Sequence, residues 1–240
     1  MKKTVLTAII TSTLTAPCFA QDNINPFADE KSGFYLGIGA GKSSYDAYNN
    51  TKAKVNTWIE NIGGTPIVNA MDTPSGETIS KLFLGYRINK YLALELNYSD
   101  LNTTEAKING QIKDGSTSYK GSGTITDDIN GIGIKAIGFY PITNSFDLKA
   151  SLGAMKWKIK EEVHGSIIES SGHNATTYFF DKKQSKKGTS LTLGLGANYT
   201  ITDNVTVGLQ WERIKDVGHK NLAFGETDID TYTLSAQYNF

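Results

Sequence analysis

The stretch Gly33-Phe34-Tyr35-Leu36-Gly37-Ile38-Gly39-Ala40-Gly41 decides how this chain is built, because it separates cleanly by parity. Phe34, Leu36, Ile38 and Ala40 fall on one side of an extended backbone, and Tyr35, Gly37, Gly39 and Gly41 on the other. A two-residue period is the signature of a strand with two unlike faces. Glycine weakens a strand, so a glycine-rich face is a poor outer surface in water. It suits the lining of a narrow, crowded space.

The alternation returns seven more times. Leu82, Leu84, Tyr86 and Ile88 oppose Lys81, Phe83, Gly85 and Arg87, and Leu92, Leu94, Leu96 and Tyr98 oppose Ala93, Glu95, Asn97 and Ser99. Further runs start at Ile132, Phe146, Leu191, Val205 and Tyr232, the last ending on Phe240. Between them the connections alternate in length. Asn89-Lys90, 141–145 and 200–204 are tight, whereas 45–77, 101–123, 161–187 and 213–229 are long by globular standards. Each tight turn repeats a phrase: Tyr86-Arg87-Ile88-Asn89, Tyr140-Pro141-Ile142-Thr143, Tyr199-Thr200-Ile201-Thr202. The segment 111–128, with Ile112 and Tyr119, is a candidate for strand running on past a membrane.

The first twenty residues have a basic start at Lys2 and Lys3, an apolar stretch from Val5 to Ala16, and small residues up to Ala20. They read as a cleavable signal peptide, followed by a short mobile lead-in over 21–32. Cys18, the only cysteine, lies inside the leader, so disulfide, cysteine-metal and redox chemistry are not expected of the mature protein. Pro17 before it argues against lipidation. Removing the leader leaves 22 basic against 24 acidic residues, with no charge excess to point to nucleic acid. No run of apolar residues is long enough for a membrane helix, and the mean hydropathy of -0.30 by itself suggests a soluble domain.

A soluble eight-stranded barrel also alternates, with its apolar face inward. The glycines settle the choice: Gly37, Gly39, Gly41, Gly85, Gly133, Gly153, Gly194, Gly196 and Gly208 all lie on the polar face, where they make room for lysine and glutamate. The apolar face therefore meets lipid. Its aromatics cluster at strand ends, Tyr86, Tyr140, Tyr199 and Tyr238 toward the turns and Tyr98, Trp211 and Tyr232 toward the long connections, which is the pattern of two interfacial girdles. Residues 33–240 are thus predicted to form an all-β, eight-stranded antiparallel transmembrane barrel with short periplasmic turns and long extracellular loops.

Gly85-Tyr86-Arg87-Ile88-Asn89-Lys90-Tyr91 with Glu95 and Tyr98, Asp147-Leu148 and Leu152-Gly153-Ala154-Met155-Lys156-Trp157 after the second turn phrase, and Gln210-Trp211 after the third resemble the transmembrane domain of OmpA-type outer-membrane proteins. The likeness runs in register along the chain beyond the leader. It implies an integral protein of the Gram-negative outer membrane, inserted by the barrel-assembly machinery partly through the terminal aromatic Phe240. It also implies loops that contact host cells, phages or neighbouring molecules. Full-length members carry a peptidoglycan-binding domain; with the chain ending at Phe240, none is expected here. Members also keep interior ion pairs that act as a gate. Glu95 matches its acid, but Ile137, Asn198 and Thr206 stand at its other charged positions, and Lys135 is the nearest substitute.

The inward-facing charges are Lys81, Arg87, Glu95, Lys135, Asp147, Lys149 and Glu212, in a space only wide enough for side chains. A plugged, ion-paired interior is the preferred reading, and a gated low-conductance pore the alternative. Lys156, Lys158 and Lys160, with Lys182, Lys183, Lys186 and Lys187, fall near the outer rim, where they are placed either to meet lipopolysaccharide phosphates or simply to be solvated. His164 and Ser166 form a His-x-Ser pair used by some lipid A deacylases, but with no evident orienting acid, so no enzyme activity is expected. Asp228 and Asp230 are close but too few for a metal site, and neither metal nor cofactor is expected. A structural and surface-contact role leads, ahead of a pore and a lipid-modifying enzyme.

Overall fold

In the computed structural model, described over residues 31–45, 77–114, 116–222 and 225–240, eight antiparallel strands follow one another. They are β1 (Gly33–Tyr45), β2 (Glu77–Asn89), β3 (Leu92–Asp114), β4 (Thr117–Pro141), β5 (Phe146–Ser171), β6 (Asn174–Thr202), β7 (Val205–Gly218) and β8 (Glu226–Asn239). Each pairs with its neighbours in sequence, and β1 pairs with β8 from Tyr35↔Asn239 to Tyr45↔Ile229, closing the ring. The predicted leader, most of the lead-in and the 46–76 connection lie outside the described residues.

Parity settles inside and outside as read from the sequence. Ile38, Ile134, Leu209 and Leu234 face outward and are between 61% and 66% exposed. Such a surface is stable only against hydrocarbon. On β5 the outward face is apolar from Phe146 through Ala154 and turns polar at Lys156. That span of nine residues matches the roughly 9–11 that a tilted strand needs to cross the bilayer core.

The three repeated phrases share one mechanism. The side-chain oxygen of the fourth residue accepts the backbone N–H groups that the reversal leaves open: Asn89 from Tyr91 and Leu92, Thr143 from Ser145 and Phe146, Thr202 from Val205. The preceding tyrosines sit on the outward wall, with Tyr140 68% and Tyr199 53% exposed.

The long connections need correction in form. Residues 101–123 and 161–187, read as loops, are mostly strand: β3 and β4 continue in register to Asp114↔Thr117, and β5 and β6 to Ser171↔Asn174. The candidate 111–128 is part of this continuation. The 213–229 connection shrinks to 219–225 between β7 and β8. Beyond the lipid belt β3, β4, β5 and β6 therefore form a four-stranded blade. One bulge falls in the β3–β4 ladder of this blade and a second in the β7–β8 ladder beside it. Asn102 adopts φ 64° between Asp100 and Thr103, and Asp216 φ 52° between Ile214 and Val217. Asn and Asp tolerate this left-handed conformation because their short side chains bond nearby backbone. Asn102 itself accepts the N–H of Thr103.

Inside the ring, aromatic rings lie over the glycine directly across the ladder. Tyr35 covers Gly85, Phe83 covers Gly37, and Trp157 covers Gly188; a Cβ on any of these glycines would collide with the ring. Gly85→Val should therefore lower barrel stability by about 1–3 kcal/mol, read as the urea midpoint of the lipid-refolded chain. Gly110→Val, whose Cβ meets nothing within 4 Å, should leave that midpoint unchanged.

Candidate functional site

From the turn end outward, the interior is layered. At the mouth Asp147, 2% exposed, is held between Arg87 at 3.1 Å and Lys31 at 3.3 Å. Lys31 belongs to the segment read as lead-in, so its end reaches into the mouth. The Arg87 guanidinium also lies 4.0 Å above the Phe139 ring. Phe139 joins Tyr35, Phe83, Ala93 and Ile137 in a buried apolar layer.

Above that layer four charges converge. Lys81 donates to Glu212 at 3.2 Å; Lys135 bonds the other oxygen of Glu212 and stands 3.6 Å from Glu95. The Tyr35 hydroxyl donates to Glu95 at 3.1 Å and Gln210 to Glu212 at 3.2 Å. Two lysines and two glutamates balance, and Tyr35 and Gln210 add further donors to the carboxylates, as a buried cluster requires. The four come from β2, β3, β4 and β7, so the cluster spans the lumen. Lys135 pairs with Glu95 although Ile137 occupies the resembling family's position; Lys81 and Glu212 complete the set from elsewhere. Lys149 enters the lumen without a carboxylate within ion-pair distance among the described residues, its Nζ directed toward Gly208.

The outer third of the interior departs from the polar, glycine-rich lining read from the sequence. Ile79, Leu101, Ile129, Met155, Trp157, Ile159, Ile214 and Ile229 pack there, with Leu222 from the 219–225 connection over them. This layer was legible in principle: stepping on by two from Lys81, Lys135 and Glu212 along the inward face leads to Ile79, past glycines to Ile129, and to Ile214. Trp157 donates its indole N–H to Ser190, and the Tyr45 hydroxyl bonds the Leu101 carbonyl, so the polar atoms of these two rings have partners.

On the outward wall Tyr98, Tyr232 and Tyr238 are about half exposed, whereas Tyr86 and Trp211 are more covered, Tyr86 by the Phe34 ring at 4.8 Å. The Trp211 indole donates to Asp230, which also accepts two bonds from Arg213. Asp228 accepts the backbone N–H of Asp216. Both acids are thus engaged as strand clamps. The rim lysines divide by face: Lys156, Lys158, Lys160, Lys183 and Lys187 point outward, while Lys182 and Lys186 share the parity of the inward-facing Ser190.

His164 lies on a strand rather than in a loop, and an acid does stand beside it, which corrects the reading from sequence. Its Nδ1 is 3.3 Å from Asp181 across the ladder and its Nε2 3.6 Å from Glu162. Both ring nitrogens face carboxylates, and the Ser166 hydroxyl is engaged with Ser122 at 3.2 Å. A base turned to a second acid does not activate the serine. The Lys183 hydrogen bond holds the Glu162 carboxyl below its ordinary range.

Residues 29–240 match the OmpA-like transmembrane domain. Among curated proteins, outer membrane protein A of Escherichia fergusonii is 25% identical over 158 residues, covering 66% of this chain and 39% of that protein. The Klebsiella pneumoniae protein is 24% identical over 217 residues, 89% of this chain and 52% of its own length. The chain thus spans about half or less of these relatives. Among solved structures, Ail of Yersinia pestis with the heparin analogue sucrose octasulfate aligns over 88% of this chain and 99% of its own, at 15% identity and TM-score 0.44. Neisserial surface protein A aligns over 87% and 98%, at 19% identity and TM-score 0.43.

Removing Glu212 strands the Lys81 ammonium in the lumen. Glu212→Ala should cost roughly 3–5 kcal/mol in a urea titration followed by tryptophan fluorescence. Lys81→Met combined with Glu212→Leu should recover more than half of the loss, since apolar replacement of a buried pair is often close to neutral.

Proposed function

The chain belongs to the family of OmpA-like transmembrane domains and is an integral protein of the Gram-negative outer membrane, and from that premise we propose that it serves as a rigid surface mount for a contact blade. Its partners in this reading are host cells, phages or neighbouring surface molecules. The observation that carries it is the unbroken ladder between β5 and β6, from Phe146↔Tyr199 at the turn end to Ser171↔Asn174 at the tip. β6 has 29 residues where a crossing needs roughly 9–11, so most of it stands outside the bilayer.

The blade is not inert surface. Phe179 is 84% exposed on its outward face with Ile168, and Tyr178, Phe180 and Ile167 are exposed on the other. Exposed apolar patches on an otherwise polar element mark interaction sites. At the opposite end Phe240 is half exposed beside Tyr238, with ring centroids 5.0 Å apart, and is the group offered to the barrel-assembly machinery. Tyr86, Tyr98, Tyr140, Tyr199, Trp211, Tyr232 and Tyr238 serve as interfacial anchors.

The pore reading has the lumen-spanning charges in its favour, but the apolar layer of Ile79, Leu101, Trp157 and Ile214 lies across the same path. Ion flux through reconstituted liposomes should stay at background, and Glu95→Ala should not raise it; a rise would overturn the plugged interior. An acyl-transfer role has no support in the orientation of His164. Lipid A of cells lacking the protein should have an unchanged mass spectrum.

Excising the distal hairpins, residues 106–124 and 163–182, should leave the heat-dependent gel shift of a closed barrel intact while abolishing attachment of expressing cells to their target. Phe179→Ala alone should weaken attachment about tenfold. Full attachment by the excised chain would overturn the reading.

A further inference from the structure

Between the turn-side mouth and the four-charge cluster, one basic side chain in the lumen stands apart from the rest. Arg87 and Lys31 share Asp147, while Lys81 and Lys135 share Glu212, with Glu95 beside Lys135. Lys149 has no carboxylate within ion-pair distance among the described residues. Asp203, a further acid at the mouth, is exposed on the rim. Lys42 and Lys215 also lack a salt bridge, but both lie on the outward side near the outer rim, where an ammonium reaches water along its flexible stem. Inside a ring of strands, a charge without a counter-charge is costly.

Two glycines shape the place that Lys149 reaches. Its Cε lies 2.9 Å from where a Cβ on Gly196 would stand, and its Nζ 3.4 Å from the corresponding point on Gly208. That same point is 2.7 Å from Asn198 Oδ1 and 2.9 Å from Ser235 Oγ. Asn198 is 4% exposed and faces Gly208 directly across the ladder, and its Oδ1 has no hydrogen-bond partner in the protein. The Ser235 hydroxyl donates to the Gly208 carbonyl at 3.2 Å. Lys149 and Ser235 face the lumen yet are only partly buried, so space for a small group remains between them. An ammonium lacking a counter-charge and an amide lacking a partner thus converge on one point that a side chain on Gly208 would fill.

We propose that this point is a binding site for a small monovalent inorganic anion of the halide type, held by Lys149 Nζ and the Asn198 amide over Gly208. The amide presents its Nδ2 hydrogens there by a half-turn of its terminal torsion. The bond from the ammonium is charge-assisted and the stronger of the two. A water molecule would satisfy the amide but leave the Lys149 charge uncompensated. The anion enters from the turn side, because the apolar layer of Ile79, Trp157 and Ile214 lies across the outer path. At the mouth a cavity of about 500 Å³ is lined by Tyr35, Arg87, Thr206 and Asn239, and Gly208 is the next inward-facing residue of β7 after Thr206. The site is a dead end, which holds an ion without conducting it.

The test uses the full chain refolded in a nonionic detergent, with chloride replacing gluconate at constant ionic strength. The urea midpoint of the wild type should rise with chloride. Lys149→Met should weaken the apparent chloride affinity by more than about tenfold, and Lys42→Met should leave it unchanged. Asn198→Asp places a carboxylate beside the ammonium, so it should raise the midpoint in gluconate and abolish the response to chloride. Crystals grown with bromide should show an anomalous peak beside Lys149 Nζ in the wild type and none in Asn198→Asp. The proposal is overturned if the wild-type midpoint ignores chloride, if Lys149→Met responds like the wild type, or if no bromide lies at Lys149. Should Lys149→Met not refold, a chloride response retained by Asn198→Asp overturns it equally.

Discussion

Closure of β1 onto β8 is the constraint from which the rest of this molecule follows. In hydrocarbon no water is available to a free backbone N–H or C=O, so every strand must have a neighbour on both sides. The pairing from Tyr35↔Asn239 to Tyr45↔Ile229 supplies the last of these ladders. Eight strands then leave a lumen wide enough for side chains and little more. The glycines opposite Tyr35, Phe83 and Trp157 leave room for those rings, since a Cβ at any of them would collide with the ring across the ladder.

The same narrowness makes the interior charges interdependent. Glu212 serves both Lys81 and Lys135, and Lys135 in turn serves Glu95, which also accepts Tyr35. No member can leave without exposing another to a low-dielectric space. The apolar layer around Trp157 and Ile214 has a different logic: it closes the lumen on the outer side by packing, and the 219–225 connection adds Leu222 as a lid. Together the layers pack much of the lumen with side chains.

Above the bilayer the constraint relaxes, and the chain uses the freedom. The β2–β3 ladder ends at Ser80↔Asp100, and the bulges at Asn102 and Asp216 interrupt the β3–β4 and β7–β8 ladders, while β3, β4, β5 and β6 stay paired. The blade keeps the ladder of the barrel but no longer needs its closure, because water satisfies an exposed strand edge. Its aromatics are therefore displayed on a stiff element rather than on a loop.

How much of this was legible depends on which solvent each residue meets. Within the bilayer the outward face must be apolar and only the inward face can hold charge, so parity alone placed Ile38, Leu94 and Leu234 outside and Lys81, Glu95 and Glu212 inside. The repeated Tyr-x-Ile-Asn/Thr phrase located the turns because the fourth residue caps each by a local bond. Outside the bilayer both faces are wet, nothing compels alternation, and segments 101–123 and 161–187 carried too little contrast to be read as strand. Pairings within the lumen were hidden for another reason: Lys81 and Glu212 are 131 residues apart, and their meeting depends on the register of the closed ring. The sequence by itself determined the barrel, its lipid belt and its turns, since those follow from the two-residue period and local bonds. Which charges meet, which rings cover which glycines, and that the long connections rise as a blade were decided only by tertiary structure, because each depends on strands brought side by side.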